Sequence, residues 1–276
     1  YYNSFIDNYR DRHYPGMLEH LETYELQHIY LLPTLYKVRN YYTVIQQLRS
    51  SSPKFILKED YLRFFDYIYA FLHGFRSLRF RRRCCTYDGL EIRELYNADL
   101  YRTMGTSASI DGLLKFRFVK RLREAGVNIS CLIDWFENQE IDHGLNAGFR
   151  KWYPEAQSVG YQGFVASPLY LGVFPTKEEY RHRVIPNVVA VQGEGYVAKA
   201  REFCPDLDVC IAPAFRYTHL WKRNRRPQKF SGHFMVVVTL PMSKKDSLHL
   251  IRTMLQAMKH CSNTKLPLSG DVKLVF

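Results

Sequence analysis

The 276-residue sequence lacks the short motifs that identify many enzyme classes. It has no GxxxxGK[ST] loop, no GxSxG turn, no HExxH helix and no kinase signature, which argues against P-loop nucleotide hydrolases, α/β-hydrolases, zinc proteases and protein kinases. No known nucleic-acid-binding motif occurs, so no nucleic-acid partner is expected. Gly193-Glu194-Gly195 is only a weak relative of the dinucleotide-binding GxGxxG fingerprint.

Cysteine and histidine are not grouped at the spacing of metal ligands. No CxxC pair exists among the six cysteines, which argues against a zinc site and fits a reducing compartment. Cys131 and Cys210 lie in apolar runs and are predicted to be buried thiols. No cluster of acidic residues resembles a metal site, so the chemistry is expected to need neither a metal ion nor another cofactor.

Long hydrophobic runs and internal repeats are also absent. No run reaches 18 apolar residues, so no membrane-spanning helix is expected, and no signal peptide is visible. We therefore predict a cytoplasmic protein. The chain starts at Tyr1 in the middle of a pattern and ends in Asp271–Phe276, which is typical of a strand with nothing after it. We expect a fragment of a longer protein.

Positive charge and aromatic side chains are abundant. The formal net charge is +12 and aromatics make up 15% of the residues, which favours anionic partners such as phosphorylated substrates or anionic lipid. Leu78–Arg83 and Trp221–Arg226 concentrate the charge. These runs could hold the protein at the inner face of the cell membrane, or they could be ordinary solvated surface.

The order of the hydrophobic patterns predicts an α/β fold with a helical front. Phe64, Phe65, Ile68, Phe71 and Leu72 form an aromatic stripe that we expect to lie in the core. Alternation of strands with helices in the middle of the chain predicts parallel pairing through right-handed crossovers. The predicted helices of the front are Ile29–Leu48, Phe55–Phe75, Leu90–Leu100 and Ile110–Ala125. The predicted strands that follow are Ile129–Phe136, Gln157–Tyr161, Val184–Val191 and Val209–Ala212. The predicted helices between them are one that carries Ile141, Leu145 and Phe149, then Thr176–Tyr180 with Thr176 as its N-cap, and Tyr196–Phe203.

A second α/β domain is predicted to begin after a basic linker. Phe234–Leu240 is the most β-branched run of the chain, as expected of a buried central strand. A helix over Asp246–His260 and a strand over Val272–Phe276 would complete one βαβ unit. The predicted domains are residues 1–225 and a truncated second domain of residues 226–276.

Polar residues follow the predicted strands at their carboxyl ends, where ligands bind in open α/β sheets. Glu137, Asn138 and Gln139 follow one strand, and Gln162-Gly163 follows the next. Glu194 and Arg216 follow later strands. Glu137 could instead cap the next helix, since carboxylates favour helix N-termini, and Gln162-Gly163 could be an ordinary turn. Asp134 and Asp142 are weaker carboxylate candidates, and His143 and His219 are more typical of structural histidines.

Three short motifs follow one another along the chain: Trp135–Gln139 (WFENQ), Gly160–Gln162 (GYQ) and Ala212–Tyr217 (APAFRY). With two α/β domains joined by a linker, they resemble bacterial surface-carbohydrate biosynthesis proteins related to the Kdo transferases, which use a CMP-activated sugar and have the GT-B architecture. The resemblance spans roughly residues 30–276. The proteins of that family have an E-N-Q near one strand end and a G-Y-Q-H near the next. Gly163 stands where that pattern has His.

The resemblance implies a glycosyltransferase that moves a sugar from a nucleotide-activated donor to a cell-surface polysaccharide or lipid-linked acceptor. Glu137 would be the catalytic carboxylate, near the anomeric carbon. Arg216 suits a phosphate or carboxylate group through a bidentate contact. Substrate-binding roles fall to Asn138, Gln139, Gln162, Gly163 and Glu194, although Glu194 also suits a tight turn. Thr239 and Ser243 would lie on the nucleotide side of the cleft.

Other functions remain open at the level of sequence. The chain could be a non-catalytic basic α/β module that binds a glycan or an anionic membrane surface, or a nucleotide-sugar epimerase of GT-B-like fold. The His-Pro element that such transferases use near the nucleotide phosphate is not in this chain, and the second domain stops at Phe276. The chain by itself is therefore expected to be inactive or nearly so.

Overall fold

The computed structural model describes residues 13–15, 17, 28–35, 38–51, 54–87, 89–165, 167, 169–217, 219–220, 238–241 and 243–263. The chain divides into two compact units, Tyr1–Lys222 and Arg223–Phe276. The predicted strand Val272–Phe276, residues 234–237 of the strand predicted before it, and the basic run Trp221–Arg226 lie outside the described residues.

The first unit begins with a front of helices. Its elements are α1 (Tyr41–Ser50), α2 (Phe64–Phe71), α3 (His73–Ser77), a hairpin of β1 (Thr86–Tyr87) and β2 (Leu90–Glu91), α4 (Arg93–Thr103) and α5 (Ser107–Glu124). The first two helices are shorter than the predicted ones. Residues 28–35 are not helical, because Leu31 forms a parallel bridge with Phe55 instead. The Asn40 side chain accepts a hydrogen bond from the Thr43 amide and starts α1 there.

A parallel sheet follows, with strands and helices in strict alternation. The elements are β3 (Cys131–Trp135), α6 (Glu140–Trp152), β4 (Gln157–Gln162), α7 (Lys177–Arg181), β5 (Val188–Val191), α8 (Val197–Arg201) and β6 (Asp208–Ile211). The four strands β3–β6 lie side by side in chain order, and every neighbouring pair is parallel. The predicted α/β class is confirmed, and the sheet is compatible with a Rossmann-like fold.

Helices cover one face of this sheet. Two apolar clusters lie there, one where Leu132 meets α5 and α6, and one where Val189 and Val209 meet α8. Right-handed crossovers between strands that run in chain order place the helices on a single face. On the opposite face Cys131 and Cys210 are exposed, and Ile133 keeps about half of its surface. The prediction that these two thiols are buried was wrong, because both lie on edge strands and on the face of the sheet opposite the helices.

Helices α5 and α6 pack unusually closely through glycine. A Cβ atom on Gly144 would lie 1.9 Å from the Gly112 carbonyl oxygen, and one on Gly112 would lie 2.4 Å from the Glu140 carbonyl oxygen. Gly148 faces Val119 farther along the same two helices. Only residues without a side chain allow this approach, which fixes the start of α6 directly behind the end of β3.

The aromatic stripe of α2 was predicted to be core, and that prediction was wrong. Phe64, Phe65 and Phe71 each leave at least 66% of their surface exposed, and Ile68 and Leu72 are also exposed. The opposite side of the helix, which carries the buried Asp66, is the one that packs on α5. Periodicity identified an apolar side correctly but could not say which way that side faces.

The second unit contains the long helix α9, Lys244–Asn263, which confirms the helix predicted over Asp246–His260. Ser243 precedes it, and the Ser243 hydroxyl accepts a hydrogen bond from the Asp246 amide at 3.4 Å. Among the described residues of the whole chain, no helix has the length and apolar character required to cross a membrane.

Candidate functional site

The predicted strand-end residues meet around the loop that joins β3 to α6. Glu137 is half-buried, and both of its carboxylate oxygens accept hydrogen bonds. The indole nitrogen of Trp135 donates to one oxygen at 2.7 Å, and the side-chain amide of Gln139 donates to the other at 2.8 Å. Two neutral donors therefore orient the carboxylate, and no cation contacts it among the described ion pairs.

Asp142 holds the backbone of this loop. One of its carboxylate oxygens accepts hydrogen bonds from the amides of Glu137 at 2.9 Å and Gln139 at 3.0 Å. Asp142 is buried in the first turn of α6, where the helix dipole favours a negative charge. The sequence had offered Asp142 as a weak catalytic candidate, but the structure places it beneath the loop as a positioning residue.

Asn138 has a left-handed backbone and bridges to a neighbouring loop. Its φ is 58°, a conformation that asparagine tolerates better than most residues. The side-chain amide donates to the Gly172 carbonyl at 3.2 Å and to the Glu179 carboxylate at 3.3 Å, while its oxygen lies 3.0 Å from the His143 ring nitrogen. Residue 138 thus ties the end of β3 to the loop before α7.

Aromatic rings form a wall beside Glu137. Trp135 packs edge-on against Tyr161 with ring centroids 5.8 Å apart, and Tyr161 packs in the same way against Phe215. Phe164 also lies against Trp135, at 6.0 Å. The exposed guanidinium of Arg216 lies 5.9 Å from the centre of the Trp135 ring. Trp135 therefore connects two predicted site residues, since it bonds Glu137 and contacts Arg216.

Residues from farther along the chain complete this wall. The Tyr161 hydroxyl donates to the Pro213 carbonyl at 2.8 Å and accepts from the Phe215 amide at 3.3 Å. His13 stacks on Trp135 with ring centroids 4.4 Å apart, and Tyr14 lies 5.4 Å from Tyr161. The aromatic wall thus joins the ends of β3, β4 and β6 to a segment near the start of the chain.

Gln162 and Gly163 lie at the end of β4, next to this wall. The Gln162 side chain is buried and donates to the Val173 carbonyl at 2.8 Å, so its amide nitrogen fastens a loop. A Cβ on Gly163 would lie 2.3 Å from the Trp135 ring and 2.4 Å from the Tyr161 ring. Glycine at residue 163 therefore lets the two rings pack over the backbone, and a histidine would displace them.

Asp134, at the end of β3, and Asp142, in the first turn of α6, influence each other electrostatically. Burial raises the pKa of Asp134 to about 7, the nearby Asp142 carboxylate adds to the rise, and the Lys115 ammonium and the Asn146 amide oppose it. Burial also raises the pKa of Asp142, against the hydrogen bonds from the amides of Gln139 and Glu137. The hydrogen bonds from the two loop amides favour the ionised form of Asp142.

Other predicted site residues do not join this group. Glu194 is exposed at the start of a 3₁₀ turn after β5, directly after Gly193, whose φ of 98° makes the tight turn. Thr239 and Ser243 are exposed in the second unit. His219 is exposed as well, and neither Glu194 nor His219 has a described contact with Glu137.

Several residues of the site were missed by sequence reasoning. Trp135 lies in the motif WFENQ but had no predicted role, and His143 was predicted to be a structural histidine. Glu179 was not assigned to the site; its carboxylate accepts a hydrogen bond from the Thr176 amide at 2.6 Å, and Thr176 is the N-cap of α7, as predicted. Among the described residues, no group of three or more His, Cys, Asp or Glu side chains could hold a metal ion.

Comparison of the chain with protein-family models, with curated proteins and with solved structures gives no match.

Proposed function

We propose that the chain is the acceptor-side part of a glycosyltransferase that moves a sugar from a nucleotide-activated donor, such as a CMP-sugar, to a glycan or lipid-linked acceptor. We place it in the cytoplasm, at the inner face of the cell membrane. The proposal includes the GT-B architecture and a reaction without a metal cofactor. Its strongest support is a single observation: Trp135 brings the Glu137 carboxylate and the Arg216 guanidinium to one aromatic wall at the carboxyl edge of a parallel sheet.

The composition of that wall suits a sugar. The partly exposed rings of Trp135, Phe164 and Phe215, with Tyr161 buried among them, offer apolar surface to the C–H groups of a pyranose, while amides and carboxylates beside them bind hydroxyl groups. Gln139 is exposed next to Glu137, to which its amide donates, and Asn138 holds the neighbouring loop at residue 172. Gln162 is buried with its amide nitrogen engaged, so its role is to support the wall through the loop at residue 173.

Glu137 is the group to which we assign the chemistry. Transfer from a nucleotide sugar requires a carboxylate that accepts a proton from the attacking hydroxyl or attacks the anomeric carbon itself. Arg216 would stabilise negative charge on the substrate, which builds up on the phosphate as the nucleotide leaves. Asp142 fixes the loop backbone, so the direction of the Glu137 side chain is set before the substrate arrives.

The test measures nucleotide release by the complete gene product. The protein is incubated with CMP-sugars and UDP-sugars, with and without a glycan acceptor, and free nucleotide is quantified. Glu137→Gln keeps the size of the side chain but removes the base, so release from the one accepted donor is expected to fall about 100-fold or more. Glu140→Gln is the matched control, because Glu140 is an exposed carboxylate three residues away in the first turn of α6.

Release that is unaffected by Glu137→Gln would remove the catalytic role of this carboxylate. Absence of release and of binding with every donor would favour a second candidate, a non-catalytic basic module that binds a glycan or an anionic membrane surface. The observation that favours this alternative is a group of exposed arginines at residues 79–83, far along the chain from the aromatic wall.

A further inference from the structure

Helices α2 and α3 expose an apolar side that globular proteins normally bury. Phe64, Phe71 and Phe75 each leave between 66% and 74% of their surface in solvent. Ile68 lies between them at helical spacing, so these residues share one side of the helical run. Scattered apolar side chains need no explanation, whereas a contiguous exposed patch of this size marks an interaction surface.

The orientation of this side is fixed by a buried ion-pair cluster on the other side of α2. Asp66 is fully buried, and its carboxylate accepts hydrogen bonds from Arg117 at 2.6 Å and from Arg121 at 2.8 and 2.9 Å, both on α5. The Arg63 amide donates to the same carboxylate. A helix that turns its carboxylate inward and its phenylalanines outward has the polarity expected of a helix facing an apolar medium.

Positive charge continues directly from the apolar side. Residues 67–87 contain five arginines and no Asp or Glu. Within the described part of the chain, no ion pair reaches Arg79, Arg81, Arg82 or Arg83. A cavity of about 730 Å³ is lined by Arg81, Arg82 and Arg83 together with Arg93 and Tyr101. Glu94 also lines this cavity, where it pairs with Arg93 at 3.0 Å.

The arginines are held in place beside the aromatic side chains. The buried Asn97 of α4 accepts from the Arg82 amide at 3.1 Å and donates to the Arg82 carbonyl at 3.0 Å. The Tyr96 hydroxyl donates to the Phe80 carbonyl at 3.2 Å. These contacts fasten the backbone of residues 80–82 to α4, while the arginine side chains remain exposed.

We propose that this combined patch, the aromatic–arginine surface, binds the surface of an anionic lipid bilayer. We define it by the exposed side chains Phe64, Phe65, Ile68, Phe71, Leu72, Phe75, Leu78 and Phe80 together with Arg79, Arg81, Arg82 and Arg83. The aromatic rings enter the boundary between head groups and acyl chains, and the arginines bind lipid phosphates through paired N–H donors. Charge complementarity selects this partner, since the patch carries four exposed arginines that form no described ion pair, while Glu94 beside them pairs with Arg93. The inference does not depend on glycosyl transfer.

The test is flotation of the full 276-residue chain with lipid vesicles. Vesicles of phosphatidylcholine alone are compared with vesicles that also contain phosphatidylserine, and the chain is expected to float mainly with the second. Phe64→Ser combined with Phe71→Ser is expected to lower the bound fraction about tenfold or more. Leu169→Ser is the matched control, because Leu169 is 90% exposed and lies outside the surface.

A second variant and a second measurement make the test decisive. Arg82→Gln combined with Arg83→Gln leaves the apolar side intact and is expected to abolish the preference for phosphatidylserine. Circular dichroism verifies that each variant is folded. Equal flotation of the Phe64/Phe71 variant and the unchanged chain would overturn the proposal. So would absence of flotation together with a dimer, seen by analytical ultracentrifugation, that the phenylalanine substitutions dissociate, because the patch would then bind a second copy.

Discussion

Asp66 is the most tightly held carboxylate among the described residues. Burial raises the pKa of its carboxyl group, but hydrogen bonds from Arg121, from the Arg63 amide and from Arg117 outweigh burial and lower the pKa to about 2. An acid with a lowered pKa stabilises the folded state at pH values above its ordinary pKa near 4. That stabilisation disappears as the pH falls from about 4 to about 2, because the unfolded chain takes up the proton first.

Replacing this carboxylate should therefore destabilise the protein in a pH-dependent way. Asp66→Asn removes the counter-charge of the half-buried Arg117 and leaves the buried Arg121 with Glu124 as its carboxylate partner. We expect a loss of about 3 kcal/mol in the free energy of unfolding at pH 7. The difference from the unchanged chain should shrink as the pH falls from about 4 to about 2. Urea unfolding, followed by circular dichroism at several pH values, measures both effects.

Asp60→Asn is the control for that experiment, because Asp60 pairs with Arg49 at the surface. Breaking an exposed pair should cost about 1 kcal/mol or less. If Asp66→Asn were no more destabilising than Asp60→Asn at pH 7, the buried cluster would not be what orients α2.

At the scale of residues, sequence reasoning found Glu137 and its neighbours because polar residues after a buried strand are visible as a pattern. It did not foresee that Asp142 holds the backbone of the loop, and it missed Glu179. The reason is physical: the Asp142 carboxylate reaches back to the amides of Glu137 and Gln139, and Glu179 approaches Asn138 from 41 positions away. Hydrogen bonds from a side chain to single amides or to a distant residue leave no periodic trace in a sequence.

At the scale of elements, the joint between α5 and α6 determines how the loop after β3 is supported. The joint depends on the absence of side chains at Gly112 and Gly144, where each added Cβ would meet backbone atoms. Backbone atoms in helices cannot rotate out of the way, so a larger residue must push the helices apart.

Gly144→Ala should therefore be strongly destabilising despite the higher helix propensity of alanine. We expect a loss of about 2 kcal/mol or more in the free energy of unfolding, as for other overpacked sites. Gly74→Ala is the matched control, because Gly74 lies in α3 and a methyl group added there would have no neighbouring atom within 4 Å. That change should be neutral or slightly stabilising. Thermal unfolding of both variants tests the joint, and a neutral Gly144→Ala would contradict it.

The elements themselves were predictable to different degrees. The alternation of strands and helices over residues 131–211 is confirmed, since short apolar runs separated by amphipathic segments carry a strong signal. The strand predicted over Phe234–Leu240 is not confirmed, because its described residues 238–240 do not form a strand. The ends of α1 and α2 were not found, because the Leu31–Phe55 bridge and the Asp66 cluster act across long sequence distances. The direction in which the aromatic stripe of α2 faces could not be predicted either. Periodicity shows which side of a helix is apolar, but it does not show what contacts that side.

At the scale of the whole molecule, the charge of +12 governs how the protein meets anionic surfaces. Raising the salt concentration from about 0.1 M to about 1 M shortens the Debye length from about 10 Å to about 3 Å. If the aromatic–arginine surface binds lipid as proposed, salt should weaken vesicle binding but not eliminate it, because the apolar part of the contact is not screened.

Vesicle flotation across a salt series measures this prediction. The Arg82/Arg83 variant should show a smaller dependence on salt than the unchanged chain, and the Phe64/Phe71 variant should lose the salt-resistant part. Binding that vanishes completely at high salt in the unchanged chain would mean that the phenylalanines do not enter the bilayer.

If the chain both binds lipid and transfers a sugar as proposed, the glycine joint between α5 and α6 has a geometric consequence. Helix α5 carries the arginines that hold α2, and helix α6 carries the aspartate that holds the Glu137 loop. Because the two helices touch backbone to backbone, a protein docked through α2 would keep Glu137 at a set height above the bilayer. Helices α5 and α6 would then fix the distance between Glu137 and the bilayer. Among lipid-linked acceptors, the protein would select those whose hydroxyl group lies at that distance.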